Sequence, residues 1–160
     1  MNENLIIGIS DMKMGRGNDV LTTYALGSCI GICFYDSIPK VGAMLHIMLP
    51  LNMEAGRKNP LKYADTGIRE TLQKLTLSGA SRTRITAKIA GGAKMFEMTG
   101  NTSVGNIGQR NIESVISILK RESISILNDD VGGKIARTMI FETNTGKVTI
   151  RSYGRPEMIF

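Results

Sequence analysis

Two apolar runs separated by a short turn are the strongest structural signal in this sequence. The first run is CIGICFYD (residues 29–36), the second is VGAMLHIML (residues 41–49), and SIPK (residues 37–40) lies between them. Each run has the length and composition of a β-strand, and a nearly continuous apolar run is typical of a strand buried on both faces. The segment therefore predicts a buried β-hairpin.

Helical periodicity appears in two later segments. An apolar residue recurs every three or four positions over residues 61–75, which predicts an amphipathic helix. Asn59-Pro60 suits its start, with Asn as N-cap and Pro at the first helical position, and Ser78-Gly79 suits its end. The same spacing over residues 109–122 predicts a second helix.

Short apolar or alternating segments predict the remaining strands. The turn-rich segment DMKMGRGND (residues 11–19) is interpreted as a loop, and Asn144-Thr145-Gly146 as the turn of a hairpin. The further predicted strands cover residues 5–10, 20–26, 83–90, 123–127, 135–143 and 147–153. Residues 51–59 and 91–108 are interpreted as loops. The order of strands, helix, strand, helix and strands indicates an α+β fold in one domain over residues 1–160.

Few residues in this sequence can ligate a metal or form a disulfide. There is one histidine, His46, and there are two cysteines, Cys29 and Cys33. These counts exclude a zinc site with several imidazoles, a four-cysteine site and a disulfide-rich scaffold. Four residues apart on a strand, the two cysteines would lie about 13 Å apart, beyond the reach of a disulfide. We expect free thiols in a reducing cytoplasm and no metal or cofactor.

No targeting segment is expected either. The first residues lack the basic region of a signal peptide, and no apolar stretch is long enough for a transmembrane helix. The sequence therefore predicts a cytoplasmic protein that is not embedded in a membrane.

Positive charge is concentrated in residues 57–94. This segment holds nine Lys and Arg residues against two acids, Asp65 and Glu70, which gives it a net charge of +7. The whole chain has a net charge of +6. The charges fit solvated faces of a helix and a strand, or a docking surface for an acidic partner. No nucleic-acid motif occurs and Tyr63 is the only aromatic residue in the segment, so nucleic-acid binding is not expected.

Cys29 and His46 form a candidate reactive pair. Cys29 follows Gly27-Ser28 at the mouth of a predicted strand, where the backbone N–H groups of Ser28 and Cys29 could bind an oxyanion. The turn between the strands brings His46 back along the first strand, and an imidazole beside a thiol is the minimum for an activated nucleophile. The alternative for His46 is a hydrogen-bonded core residue.

Three other residues lie near this pair in the sequence, Cys33, Thr22 and Thr23. Cys33 lies mid-strand and fits a small core hydrophobe. Thr22 and Thr23 precede Cys29 by seven and six residues, and either could orient the histidine or simply favour a strand.

Two glycine clusters resemble phosphate-binding loops only superficially. Gly91-Gly92 and residues 105–108 match neither G-x-G-x-x-G nor the P-loop pattern. Turn geometry, or the wall of an active-site cleft, is the preferred interpretation.

A family resemblance emerges when the motifs are taken together. LGSCIG (26–31), GAMLHIMLP (42–50), KYAD (62–65), KIAGGAKMF (88–96), NIGQRN (106–111), DVGGKIAR (130–137) and FETNTGKV (141–148) occur in this order. The sequence resembles the CheD family of chemoreceptor glutamine deamidases over about residues 5–155. The resemblance implies hydrolysis of receptor glutamine amides to glutamate and ammonia, and also of glutamyl methyl esters.

The resemblance also implies site residues, a partner and a fold. It places the family's catalytic cysteine at Cys29, its histidine at His46 and its threonine at Thr23. It implies chemoreceptors as substrates and the phosphatase CheC as a further partner. It implies an α/β sandwich of mixed or antiparallel sheets flanked by two main helices and similar to the catalytic domain of cytotoxic necrotizing factor toxins.

Three other functions stay open at this point. The chain could be mainly an interaction module that stimulates the phosphatase activity of CheC. It could be a cysteine hydrolase acting on another amide, in the manner of a toxin-like deamidase. It could also be a small nucleic-acid-binding protein.

Overall fold

Ten β-strands and two α-helices make up the described part of the chain. The structure is a computed structural model that describes residues 3–51, 59–95 and 106–160. The strands are β1 Asn4–Ile6, β2 Asp11–Arg16, β3 Val20–Leu26, β4 Ile30–Asp36, β5 Val41–Ile47, β6 Thr86–Gly91, β7 Ser125–Val131, β8 Arg137–Glu142, β9 Val148–Arg151 and β10 Met158–Ile159. The helices are α1 Ala64–Leu77 and α2 Ile107–Arg121. Predicted loop residues 52–58 and 96–105 lie outside the described ranges.

The strands form two mixed five-stranded sheets. Sheet A has the order β1-β3-β8-β9-β10, and sheet B has the order β2-β5-β4-β6-β7. Each sheet contains one parallel pair, β1 with β3 and β6 with β7, and its other pairs are antiparallel. The predicted α+β class with mixed sheets and two main helices is confirmed.

Sheet B lies between the helices and sheet A. One of its faces packs against α1 and α2 through alternate residues such as Ile30, Ile32 and Phe34. The opposite face contributes Cys33 and Met44 to a second apolar cluster with residues of sheet A. All seven residues of β5 are buried, and β4 and β5 pair along their whole length. The buried hairpin predicted from the apolar runs is confirmed.

The structure differs from the prediction at strand β2 and at the start of the first helix. Residues 11–16, predicted as loop, form strand β2, which pairs antiparallel with β5 at the edge of sheet B. An edge strand exposes one side to solvent and tolerates charged residues, so β2 lacks the apolar pattern of the interior strands. The first helix begins later than predicted, because Pro60–Lys62 form a separate 3-10 turn capped by Asn59.

The end of α1 follows the prediction, whereas the bounds of some strands differ, and β1 ends at Ile6 although its strand was predicted to run to residue 10. Ser78 caps α1 and Gly79 has a φ of +105°, a backbone conformation that favours glycine. Strand β7 extends four residues beyond its predicted end at Leu127, and β10 was not predicted. The architecture places the ends of β3, β4 and β5, together with the segment after β6, in one region of the molecule.

Candidate active site

His46 lies at the centre of this region. It is fully buried on β5, on the face of sheet B that packs against sheet A, since its neighbours Leu45 and Ile47 point toward the helices. Its Nδ1 atom is 2.7 Å from Oγ1 of Thr23 on β3 of the facing sheet. The predicted association of Thr23 with His46 is therefore present as a hydrogen bond that crosses between the sheets.

The contacts of Thr23 determine the tautomer of His46. The Thr23 hydroxyl donates to the backbone carbonyl of Ile7 at 2.7 Å. A hydroxyl has one proton to donate, so Nδ1 of His46 must donate its own proton to Thr23 Oγ1. Nε2 then carries the lone pair, and it is buried without a hydrogen-bond partner among the described residues. The free basic atom of the imidazole is therefore Nε2.

His46 is neutral at physiological pH. Burial lowers its pKa to about 4, and the negative charge of Asp11 on the adjacent strand β2 opposes only part of this effect. An unprotonated imidazole can accept a proton, so His46 is in the state that a general base requires.

Cys29 lies on the same face of sheet B as His46. Gly31 pairs with His46 across β4 and β5, and Cys29 precedes Gly31 by two residues. Cys29 itself lies in the bend just before β4, outside the paired residues, and Gly31 carries no side chain opposite His46. Cys29 packs against the apolar cluster between the sheets and is partly exposed.

The Cys29 thiol is protonated in this state. Burial raises its pKa above the ordinary value. No hydrogen bond joins Cys29 to Nε2 of His46, which has no partner in the described part of the chain. The structure therefore brings Thr23 and His46 into contact, and it packs Cys29, as a neutral thiol, against the apolar cluster on the same side of sheet B.

A glycine pair forms the wall behind Cys29. The N–H of Gly92 donates to the Cys29 carbonyl at 2.8 Å, and the N–H of Ala93 donates to the Gly27 carbonyl at 2.8 Å. Gly91 has a φ of +112°, and a side chain there would collide with the Cys29 carbonyl. The cleft-wall interpretation of Gly91-Gly92 agrees with this position, whereas Gly105 lies outside the described residues.

Asn111 on α2 joins the cysteine loop to the end of the histidine strand. Its Nδ2 donates to the Ser28 carbonyl at 2.9 Å and to the Met48 carbonyl at 3.0 Å. The residue is fully buried. The sequence prediction missed this residue, although NIGQRN (106–111) was among the motifs that indicated the family.

The backbone around Cys29 leaves two amide groups available. Within the described ranges, no hydrogen bond is donated by the N–H of Ser28 or Cys29, whereas the Ser28 and Cys29 carbonyls are both occupied. Unpaired N–H groups beside a nucleophile are the donors that an oxyanion needs.

Cys33 is separate from this group. It is buried between the sheets, and burial raises its pKa well above the ordinary value. Both cysteines are free thiols, as predicted.

Two kinds of feature are absent from the described residues. No group of three or more His, Cys, Asp and Glu side chains there is arranged to hold a metal ion. None of the described helices is both long and apolar enough to span a bilayer.

The protonation of His46 can be measured without assignment ambiguity because the chain has one histidine. We expect long-range ¹H–¹⁵N spectra to show a neutral ring protonated at Nδ1, with a midpoint near pH 4. Thr23→Val should mix the two tautomers, while Thr23→Ser, which keeps the hydroxyl, should preserve the Nδ1–H form. A midpoint at the ordinary histidine value of 6.5 would contradict the assigned burial.

The same burial predicts a pH dependence of stability. The folded-state pKa of about 4 lies below the unfolded value of 6.5, so the unfolded chain binds more protons between these values. The free energy of unfolding should therefore fall by up to about 3 kcal/mol as the pH drops through this window. Denaturant titrations of the wild type and His46→Gln should show this slope in the wild type alone. Equal slopes would show that other groups cause it.

Comparisons with known proteins place the chain in a family. A family model described as CheD chemotactic sensory transduction matches residues 48–152. A protein of Desulfitobacterium hafniense named probable chemoreceptor glutamine deamidase CheD is 44% identical over 159 residues, covering 99% of both chains.

Two further relatives carry the same name. One from Syntrophomonas wolfei is 41% identical over 160 residues, covering 99% of both chains. One from Clostridium botulinum strain Hall is 44% identical over 149 residues, covering 92% of both chains. The family model begins after Thr23, Cys29 and His46, whereas the matches to the Desulfitobacterium and Syntrophomonas proteins span almost the whole chain. The chain belongs to the CheD family.

Proposed function

We propose that this protein is a chemoreceptor glutamine deamidase with Cys29 as nucleophile, His46 as general base and Thr23 as the residue that orients His46. One observation carries the proposal: His46 is buried with Nδ1 held by Thr23 and, among the described residues, with Nε2 unpaired, on the side of sheet B where Cys29 packs. The names of the relatives supply the substrate, a glutamine side chain of a chemoreceptor.

The first half of the reaction starts from a neutral pair. Nε2 of His46 takes the proton of the Cys29 thiol as the sulfur attacks the carbonyl carbon of the substrate amide. The C–S bond forms, and the N–H groups of Ser28 and Cys29 receive the oxyanion. Such a donor contributes about 3–4 kcal/mol in other hydrolases. Nε2 then donates its proton to the amide nitrogen, the C–N bond breaks, and ammonia leaves a thioester on Cys29.

The second half releases the product. His46 takes a proton from a water molecule that attacks the thioester carbonyl. The C–S bond breaks, glutamate leaves, and the sulfur recovers its proton from Nε2. The same steps with methanol as leaving group would hydrolyse a glutamyl methyl ester.

The hydrogen-bond chain behind His46 supports this role. Thr23 and the Ile7 carbonyl hold the ring with its proton on Nδ1, so that Nε2 is the basic atom in every cycle. Neither partner has a charge, so the imidazolium gains less stabilisation than it would from a carboxylate. This fits a base that holds a proton only briefly and returns it to the leaving group.

Asn111 is the positioning residue in this proposal. Its two hydrogen bonds fix the Ser28 carbonyl relative to the Met48 carbonyl. Ser28 precedes the nucleophile, and Met48 lies two residues after the base. The amide of Asn111 therefore acts on the separation of Cys29 and His46 without touching either side chain.

Several implications of the resemblance stay predictions. They are binding of CheC, hydrolysis of methyl esters, a cytoplasmic location, and a fold related to the cytotoxic necrotizing factor catalytic domain. The main alternative function is an interaction module that stimulates CheC and performs little deamidation.

The cysteine assignment predicts a clear difference between two variants. After coexpression with a chemoreceptor, the wild type should raise the mass of receptor peptides by about 1 Da for each glutamine converted to glutamate, since NH₂ is replaced by OH. Cys29→Ala should abolish this change because the nucleophile is lost. Cys33→Ala is the matched control and should keep most of the activity.

Three results would contradict the proposal. Full activity of Cys29→Ala would exclude Cys29 as nucleophile. Loss of activity in a folded Cys33→Ala variant would show that the wrong thiol was chosen. An unchanged receptor mass with the wild type, together with altered CheC phosphatase activity, would favour the interaction module.

Asn111 can be tested by a substitution that leaves two carbonyls without donors. Asn111→Leu should lower the free energy of unfolding by about 1–3 kcal/mol and lower kcat by about tenfold or more. Gln109→Leu is the control, because the side-chain amide of Gln109 donates to Glu113 on the exposed surface of the same helix. Unchanged kcat in a folded Asn111→Leu variant would remove Asn111 from the mechanism.

A further inference from the structure

A cavity lies between the sheets toward the end of β4 that is away from Cys29. Its volume is about 280 Å³, close to the lower limit of small-molecule pockets. The ten residues that line it come from both sheets and include two cations and four hydroxyl-bearing side chains but no carboxylate. The lining therefore favours an anion.

Lys88 supplies the uncompensated charge of this cavity. Its ammonium donates to the Gly146 carbonyl at 2.9 Å, in the turn between β8 and β9. Within the described ranges, no carboxylate lies within ion-pair distance of it. Burial lowers its pKa from the ordinary lysine value. A partly buried ammonium without a counter-ion is costly, and a bound anion would offset that cost.

Arg84 has a different role, because its charge is already paired. Its Nε and Nη2 atoms donate to the buried carboxylate of Asp36 at 2.9 Å each. This pair leaves Nη1 available as a donor at the cavity rim. Arg84 therefore adds hydrogen-bonding capacity, while the net charge comes from Lys88.

Neutral donors surround the ammonium on several elements. Thr145 already accepts a hydrogen bond from the Lys147 N–H at 3.1 Å, so its own hydroxyl proton remains available. Ser37 and Thr86 contribute further hydroxyls, while Leu127 and Phe141 provide apolar surface. Donors on separate strands and turns suit a ligand with several acceptor oxygens, and a phosphate group has three.

We propose that this cavity binds a small phosphate monoester, with its phosphate on Lys88 and the neighbouring hydroxyls and its apolar part against Leu127 and Phe141. The cavity does not depend on the proposed deamidase activity, since its lining does not include Thr23, Cys29, His46 or Asn111. It also gives Lys88, one of the nine cations of segment 57–94, a role distinct from a docking surface for an acidic partner.

The test measures binding of inorganic phosphate and of phenyl phosphate to the full chain by calorimetry at constant ionic strength. Both should bind saturably, and phenyl phosphate more tightly because of the apolar wall. Lys88→Met, which keeps the apolar stem, should weaken binding of both by about tenfold or more. Lys147→Met is the matched control, because that exposed lysine is paired with Glu142 at the end of β8. The affinity of this variant should change less than about twofold.

Other results of these binding measurements would overturn the proposed phosphate site or support it. If the wild type shows no saturable binding at ligand concentrations up to about 10 mM, the proposal is overturned. Binding that weak would have a Kd above the millimolar range. An equal loss in Lys88→Met and Lys147→Met would also overturn it, since it would indicate general charge attraction. If Lys88→Met does not fold, Thr86→Val serves instead: a several-fold loss would support the site, and unchanged affinity would reject it.

Discussion

Strand β5 is covered on both faces, and that burial governs every polar group at the centre of the molecule. The helices cover one face and sheet A covers the other. A titratable side chain in such a strand must stay neutral and find a hydrogen-bond partner. His46 meets both conditions through Thr23 of the opposite sheet. The contact between the sheets and the orientation of the proposed base are therefore the same interaction.

Cys29 is supported from a different direction. Its loop is held by the backbone of residues 91–93 after β6 and by Asn111 from α2. Sheet A thus orients the histidine, while β6 and α2 fix the loop that bears the thiol. The β4–β5 hairpin connects these two supports. Thr23 therefore supports only the histidine of the candidate pair, and Gly92 and Ala93 support only the cysteine loop, whereas Asn111 is bonded to both sides.

The parts predicted from sequence are those in which local pattern and burial agree. The hairpin was predictable because strands buried on both faces are apolar throughout, and β3 was predicted with its observed bounds. Strand β2 was missed because its position at an edge allows charged residues such as Lys13 and Arg16.

The site contacts were harder to predict for another reason. Asn111 donates hydrogen bonds to Ser28 and Met48, which precede it by 83 and 63 positions in the chain. A local sequence pattern does not predict such a distant contact. Thr23 could be selected over Thr22 only through the family resemblance, because spacing alone does not show which side chain faces the opposite sheet. The family resemblance pointed to Thr23, and the structure shows that its hydroxyl is hydrogen-bonded to Nδ1 of His46.

The hydrogen-bond chain behind His46 ends on a main-chain atom, the carbonyl of Ile7. A side-chain substitution at position 7 alters core packing, because Ile7 is buried, but it leaves that oxygen in the chain. The acceptor is therefore encoded by the path of the backbone between β1 and β2 and not by a residue type. Sequence drift at this position can proceed under packing constraints alone, while the group that fixes the histidine tautomer persists unchanged.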